Sequence, residues 1–241
     1  MTPGDRLKTQ SACVLSAPEL SRCIGADTAA WVRLSSHWEQ LVQDNYAAEL
    51  GITRLRRYGH FAYTPAAGSV RLLPHGVFAQ PEDSNPLYVE RDRHFEPLTG
   101  SFATDPLLLS LLRMLGKVAT ALDDAVEWSA KVTPFRVLSS AAGGGNPTPE
   151  GPHRDGVTLV TSLLIGRHNA EGGESTVYDL GGAPLLTTTL SEPGTMLLGD
   201  DRHTLHGVSP IRPLDPAQPA RRDVLVITFA PSQLSDRRPH R

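Results

Sequence analysis

Apolar and polar positions keep a helical period in the first half of the chain and a period of two in the second. Over residues 26–51, Trp31, Leu34, Trp38, Leu41 and Ala48 recur at helical spacing. Asp27 or Thr28 supplies a cap and Gly51 a stop, so the pattern predicts one amphipathic helix with its aromatic stripe in the core. Residues 1–25 are weakly patterned and predict no element. ITRLRRYGHFAYTP (52–65) and GSVRLLPHGVFAQ (68–80) alternate and read as a strand hairpin. Residues 81–105 read as a long polar loop. The run from Pro106 predicts the strongest helix, with Leu108, Leu111, Leu112, Leu115, Val118 and Leu122 on one face.

From residue 131 onward the period is two. Short β-rich runs at 133–140, 157–166, 175–180, 183–190, 194–200, 203–210 and 222–230 are punctuated by Gly, Pro, Asn and Asp. Evenly spaced short strands predict a sandwich or barrel. Helices first and strands after make an α+β chain. One domain over 1–241 is the simplest account, with helices covering one face of the β-structure and residues 131–232 forming its β half. Residues 141–151, AAGGGNPTPEG, read as a flexible loop, and EGGES (171–175) as a turn between strands.

Composition narrows the function. The chain has 241 residues, 39% apolar and 20% charged, with a net charge of −3. No basic excess supports a grip on nucleic acid or on an anionic membrane. Cys13 and Cys23 lack the spacing of a zinc or redox pair, which predicts free thiols in a cytoplasmic protein. No signal peptide is expected at the N-terminus, and no run reaches membrane-spanning length. The oligomeric state is not readable.

The chemistry gathers in the strands. In GPHRDGVTLVTSLLIG (151–166), His153 and Asp155 stand two apart at the head of an apolar run. Residues i and i+2 of an extended chain project to one side, so both point together. Alone, such a pair is weak evidence. His206 follows Asp155 by 51 residues, room enough for a jelly roll to bring it alongside. His203 is its rival; three residues apart, the two face opposite sides of a strand. Two imidazoles and one carboxylate form the facial set of non-haem iron(II) oxygenases, with coordination positions left open. In RRDVLVITFA, Arg221 or Arg222 faces inward. A buried arginine calls for a carboxylate, and its guanidinium clamps one with two parallel hydrogen bonds, as the distal carboxylate of 2-oxoglutarate requires.

Residues 145–180, with GDDRHTLHGVSPI (199–211), RRDVLVITF (221–229) and RLRRYGHF (54–61), resemble the bacterial iron(II)/2-oxoglutarate dioxygenases that hydroxylate free amino acids, the group containing isoleucine 4-hydroxylase. The resemblance runs from about residue 50 to 232. It implies a double-stranded β-helix (jelly roll, cupin-like) core with N-terminal and flanking helices. It also implies Fe(II) on His153, Asp155 and His206, and 2-oxoglutarate on Arg222; HGVSPI favours His206 over His203. The implied reaction uses O2, with ascorbate as activator, and hydroxylates an unactivated carbon of a small amino acid or cyclic imino acid, as in antibiotic biosynthesis. Asp155 argues against a halogenase, which lacks the carboxylate. Arg57, Tyr58, His60, Arg136 and Arg167 are candidates for the substrate pocket. The alternatives are the same iron chemistry on a peptidyl or carrier-bound residue, zinc hydrolysis, and a non-catalytic jelly-roll binding module.

Overall fold

Residues 128–139 and 220–231 keep the two-residue alternation longest, and they form the two longest strands. The structure, a computed structural model, describes residues 1–76, 93–143 and 145–232. The chain begins with α1 (Pro3–Gln10), β1 (Ala12–Leu15), α2 (Ala17–Ile24), α3 (Thr28–Ser36), a 3-10 turn (His37–Gln40), β2 (Val42–Gln43) and α4 (Asn45–Ala48). Next come β3 (Arg54–Arg56), β4 (Gly59–Thr64), β5 (Ser69–Leu72), α5 (Gly100–Ala103) and the long α6 (Pro106–Leu122). The rest is β-structure: β6 (Trp128–Ser139), β7 (Leu159–His168), β8 (Ala170–Gly172), β9 (Glu174–Asp179), β10 (Pro184–Thr189), β11 (Met196–Asp200), β12 (Thr204–Val208), β13 (Ile211–Pro213) and β14 (Ala220–Pro231).

The large sheet runs β1-β11-β7-β14-β6-β3-β2, with β4 joining β6 and β5 joining β4. A three-stranded sheet, β10-β9-β12, and a two-stranded one, β13-β8, complete the β-structure. This is the jelly roll that the resemblance implies, a form of the sandwich or barrel expected from the strand spacing, with helices on the outer face of the large sheet. Alternation explains the layering. Leu225, Ile227 and Phe229 of β14 join Trp128, Ala130 and Val132 of β6 in one buried cluster with Leu108, Leu111, Leu112 and Leu115 of α6. The intervening residues, Arg222, Val224, Val226 and Thr228 of β14 and Lys131, Thr133, Phe135 and Val137 of β6, line a cavity on the other face.

Several sequence expectations need correction. The helix expected over 26–51 starts where Asp27 caps it but ends at Ser36. Tertiary contacts override its periodicity. The His37 ring stacks on Phe102 at 4.4 Å and meets Asp105 at 3.2 Å. Trp38 Nε1 donates to the carbonyl of Phe135 (3.0 Å), and Asp44 starts a new turn by accepting from Ala47 N while pairing with Arg54 at 2.8 Å. The N-terminal 25 residues are structured, against expectation. Two capping boxes, Thr2 with Asp5 and Ser16 with Glu19, begin α1 and α2, and β1 adds an edge strand beside β11. The 52–65 strand is split into β3 and β4. Its hairpin with β5 forms as expected, with Phe61 opposite Leu72, while residues 77–80 of the second strand lie outside the described residues. Of the expected 81–105 loop, 81–92 lie outside them too, and 100–103 are helical. Both cysteines are free, Cys13 buried and Cys23 exposed. Among the described residues no helix is long and apolar enough to cross a membrane.

Gly116 tests the seat of α6 on the sheet. A Cβ at this position would overlap the ring of buried Tyr63. Gly116→Ala gains about 1 kcal/mol of helix propensity, yet overpacking costs about 1–3 kcal/mol. We expect net destabilisation, read as a lower urea midpoint; a raised midpoint would show that Tyr63 yields freely.

Candidate active site

His153 and His206 sit opposite each other in an isolated antiparallel bridge. The amide of His153 donates to the carbonyl of His206 (3.0 Å), and that of His206 returns a bond of 2.9 Å. Directly opposed residues of such a pair send their side chains to the same face. The two ring centroids lie 4.4 Å apart. Asp155, two residues on, joins them, while Arg154 between them is exposed. One donor atom from each of His153, Asp155 and His206 lies within 4.8 Å of the others. Gly156 lets the chain leave Asp155 with φ of +71°, a conformation other residues adopt only with strain.

Hydrogen bonding orients the rings. His153 Nδ1 donates to the carbonyl of Gly151 (2.9 Å), so Nε2 carries the lone pair. That Nε2 lies 4.0 Å from Asp155 Oδ1 and 3.5 Å from Glu150. His206 Nε2 lies 3.7 Å from Asp155 Oδ2. Burial lowers the His206 pKa, but the carboxylates of Asp201, Asp155 and Glu150 more than offset it and hold it above the usual value. Two imidazole nitrogens and a carboxylate converging in this way suit a divalent transition metal such as Fe(II). His203 is exposed in the turn before β12 and takes no part.

Arg222 shares the cavity with these three residues. It is 1% exposed, and among the described residues its Nε and Nη2 meet no hydrogen-bond acceptor. Burial, with the charge of neighbouring Arg167, pulls its pKa down to about 10. Arg221 has the opposite parity and turns outward, 3.6 Å from Asp223. A buried fork of unpaired donors fits the carboxylate of a bound anion.

The other pocket candidates fall elsewhere. Arg57 donates to the carbonyls of Gln40 (2.6 Å) and Pro97 (2.8 Å). His60 meets Ser129 at 2.7 Å, and Tyr58 is buried beside Arg56; neither lines the cavity. Arg136 faces the outer side of β6 and pairs with Asp223 (2.9 Å) and Glu39 (2.8 Å), which raise its pKa. Arg167 donates to the carbonyls of Ala170 and Gly172 and secures the β8 turn. The cavity is lined instead by Arg54, Arg56, Arg93, Lys131 and Glu150. Burial pushes the Lys131 ammonium below its usual pKa, against the pull of Asp155. Parity was the available signal: Arg54 and Arg56 share a strand face that Arg57 leaves, and Lys131 shares the face of Thr133 and Phe135. The 141–151 segment is tied down where it is described. Thr148 Oγ1 donates to the carbonyl of Val208 and accepts from its amide.

The sequence model of the 2OG-Fe dioxygenase family matches residues 35–228. The chain belongs to that family. No curated protein matches it. Among solved structures, this 2OG-Fe dioxygenase is similar to a BsmA homologue from Methylobium petroleophilum PM1, with 36% identity, 95% of this chain and 92% of that one covered, and a TM-score of 0.86. Its fold is shared by IDO from Bacillus thuringiensis (16% identity, 95% and 94% covered, TM-score 0.77). It is also shared by the Fe(II)/α-ketoglutarate-dependent dioxygenase TqaL (20% identity, 99% and 90% covered, TM-score 0.76). Family membership implies Fe(II), 2-oxoglutarate and O2 as the reaction's requirements.

An unpaired buried guanidinium destabilises the ligand-free protein. Arg222→Met keeps the stem and removes the donors, so we expect a gain of about 1–3 kcal/mol in ligand-free unfolding free energy. Urea unfolding without 2-oxoglutarate reads it; a loss would mean that Arg222 already has a partner.

Proposed function

We propose that the chain hydroxylates an unactivated carbon of a free L-amino acid or cyclic imino acid, in specialised-metabolite synthesis in the cytoplasm. His153, Asp155 and His206 hold Fe(II), and Arg222 receives the distal carboxylate of 2-oxoglutarate. The observation that carries the reading is the buried, unpaired Arg222 in the same cavity as the His/Asp/His group. Zinc hydrolysis gives that arginine no role.

Fe(II) with 2-oxoglutarate and O2 supplies the oxidation, coupling decarboxylation to succinate and CO2 with hydroxylation. The chain's own residues do the positioning. The carbonyl of Gly151 keeps the proton of His153 on Nδ1, so Nε2 is the donor. Asp155 adds one carboxylate to the two rings. The Arg222 fork fixes one end of the co-substrate. Val157, Val160, Val224 and Val226 make an apolar wall that excludes water. The cavity holds about 170 Å³, less than the roughly 300–1,000 Å³ usual for small-molecule sites, so it favours compact occupants. Cationic groups from Arg54, Arg56, Arg93 and Lys131, with one carboxylate from Glu150, suit a zwitterion that carries a carboxylate and an ammonium group.

The test is a pooled assay. Protein, Fe(II), ascorbate, 2-oxoglutarate and air are mixed with pools of free amino acids, and mass spectrometry looks for one added oxygen against succinate. Matched product and succinate support the reading. Succinate without product removes the free amino acid as substrate and leaves a carrier-bound one. No succinate from iron-loaded protein removes the enzyme and leaves a binding module. In the same assay Arg222→Ala raises the KM for 2-oxoglutarate by about tenfold or more, while Arg221→Ala leaves it within about twofold, as expected of a half-buried charge that faces away from the cavity. The reverse pattern would show that the other arginine binds the co-substrate.

A further inference from the structure

Asp201 lies in the turn between β11 and β12, where the sequence reads only as polar punctuation. Its carboxylate is wholly buried. Its neighbour Asp200 spends its carboxylate on Arg202, with bonds of 2.9 and 2.8 Å. Asp201 makes a different set of contacts. Oδ1 accepts from the amide of Asp155 (3.2 Å), and Oδ2 from the amide of Val157 (3.0 Å). The same Oδ1 lies 3.5 Å from Nδ1 of His206, a buried nitrogen with no closer partner among the described residues. The backbone of Asp201 is itself fixed, its amide donating to the carbonyl of Thr158 (3.1 Å).

One carboxylate therefore touches the backbone that carries Asp155 and the ring of His206. A buried carboxylate needs donors on its oxygens. The two amides supply two, and His206 supplies a third only when its proton is on Nδ1. That tautomer leaves the lone pair on Nε2, the nitrogen that faces Asp155 at 3.7 Å. His153 reaches the same state through the carbonyl of Gly151. The two rings thus have unlike neighbours: His153 is hydrogen-bonded to a neutral carbonyl, while Nδ1 of His206 stands 3.5 Å from a carboxylate.

We propose that Asp201 is a positioning residue of the metal site, holding His206 in its ligating tautomer and the Asp155 backbone in register. This rests on the reading that His153, Asp155 and His206 bind a divalent metal. Outer partners of metal-bound histidines raise metal affinity by about 10–100-fold.

Co(II) is the probe, titrated into the full-length metal-free protein and followed by its visible absorption. Paramagnetic proton NMR of the Co(II) form then reads the two exchangeable Nδ1–H signals of the bound histidines. We expect Asp201→Asn to bind Co(II) about 10–100-fold more weakly. One histidine signal moves or exchanges away, and the signal of His153 stays. Equal affinity within about twofold overturns the proposal, as does movement of both signals together, the mark of a merely loosened loop. Asp201→Ser, which keeps an acceptor, is the second variant. If neither variant gives folded metal-free protein, Asp201 serves folding alone and the proposal fails. Wild-type protein that binds no Co(II) sinks the metal-site reading itself, a result separate from failure of the Asp201 proposal.

Discussion

The two-residue alternation of β6 and β14 is the constraint on which the rest depends. These strands pair over twelve residues without a break in register, from Trp128 opposite Pro231 to Ser139 opposite Ala220. An uninterrupted register keeps one parity on each face along the whole length. Helix α6 needs an apolar wall, and Leu225, Ile227 and Phe229 supply it. The residues of the other parity, Arg222, Val224, Val226 and Thr228, are then committed to the interior of the roll. A slip of one residue would seat Arg221 in the cavity and turn the core leucine and isoleucine away from the helix. The packing of the core thus fixes which arginine faces the site.

The site lies where the two sheets meet. The His153–His206 bridge is the only pairing of the 151–156 segment among the described residues, and it joins the entrance of β7 to β12 of the smaller sheet. Two backbone bonds are a small connection. Asp201 reinforces it from behind, and Thr148 does so from the side, through its paired bonds with Val208. Side chains carried on different strands hold their geometry only when such polar links are completed, since each buried group left unpaired weakens the arrangement.

Periodicity made much of this legible. The α6 helix, the seven strand runs and the grouping of His153, Asp155 and His206 are all found where the spacing predicts. What escaped has physical reasons. The 26–51 stretch has helical periodicity, but Asp44 pairs with Arg54, ten residues on, and that contact is not local. The capping boxes of α1 and α2 were readable as Thr-x-x-Asp and Ser-x-x-Glu, yet helices of eight residues show too little periodicity to draw attention to them. Arg57, Tyr58 and His60 were the candidates from their segment, whereas Arg54 and Arg56 line the cavity. The chain leaves the strand at Arg57 and re-enters at Gly59, so parity carried across that break fails. Asp201 looked like a turn residue because it is one. Its second role depends on Asp155 and Val157, which are 46 and 44 residues away in sequence.

The two faces of the large sheet serve opposed demands. Where α6 covers it, the outer face is apolar and closely packed, and that part carries the stability. The inner face keeps Arg222, Lys131, Arg56 and the His/Asp/His group at the wall of one cavity, with burial holding the pKa of each of those three cations low. Mutual repulsion and desolvation there oppose folding of the ligand-free protein. A dicarboxylate or a metal that relieved these costs would bind the folded state alone, and its binding free energy would add directly to that state's stability. The core under α6 must therefore be strong enough to hold the roll closed before either ligand arrives. The leucine-rich face of α6 and its close contact at Gly116 answer to that requirement rather than to the chemistry.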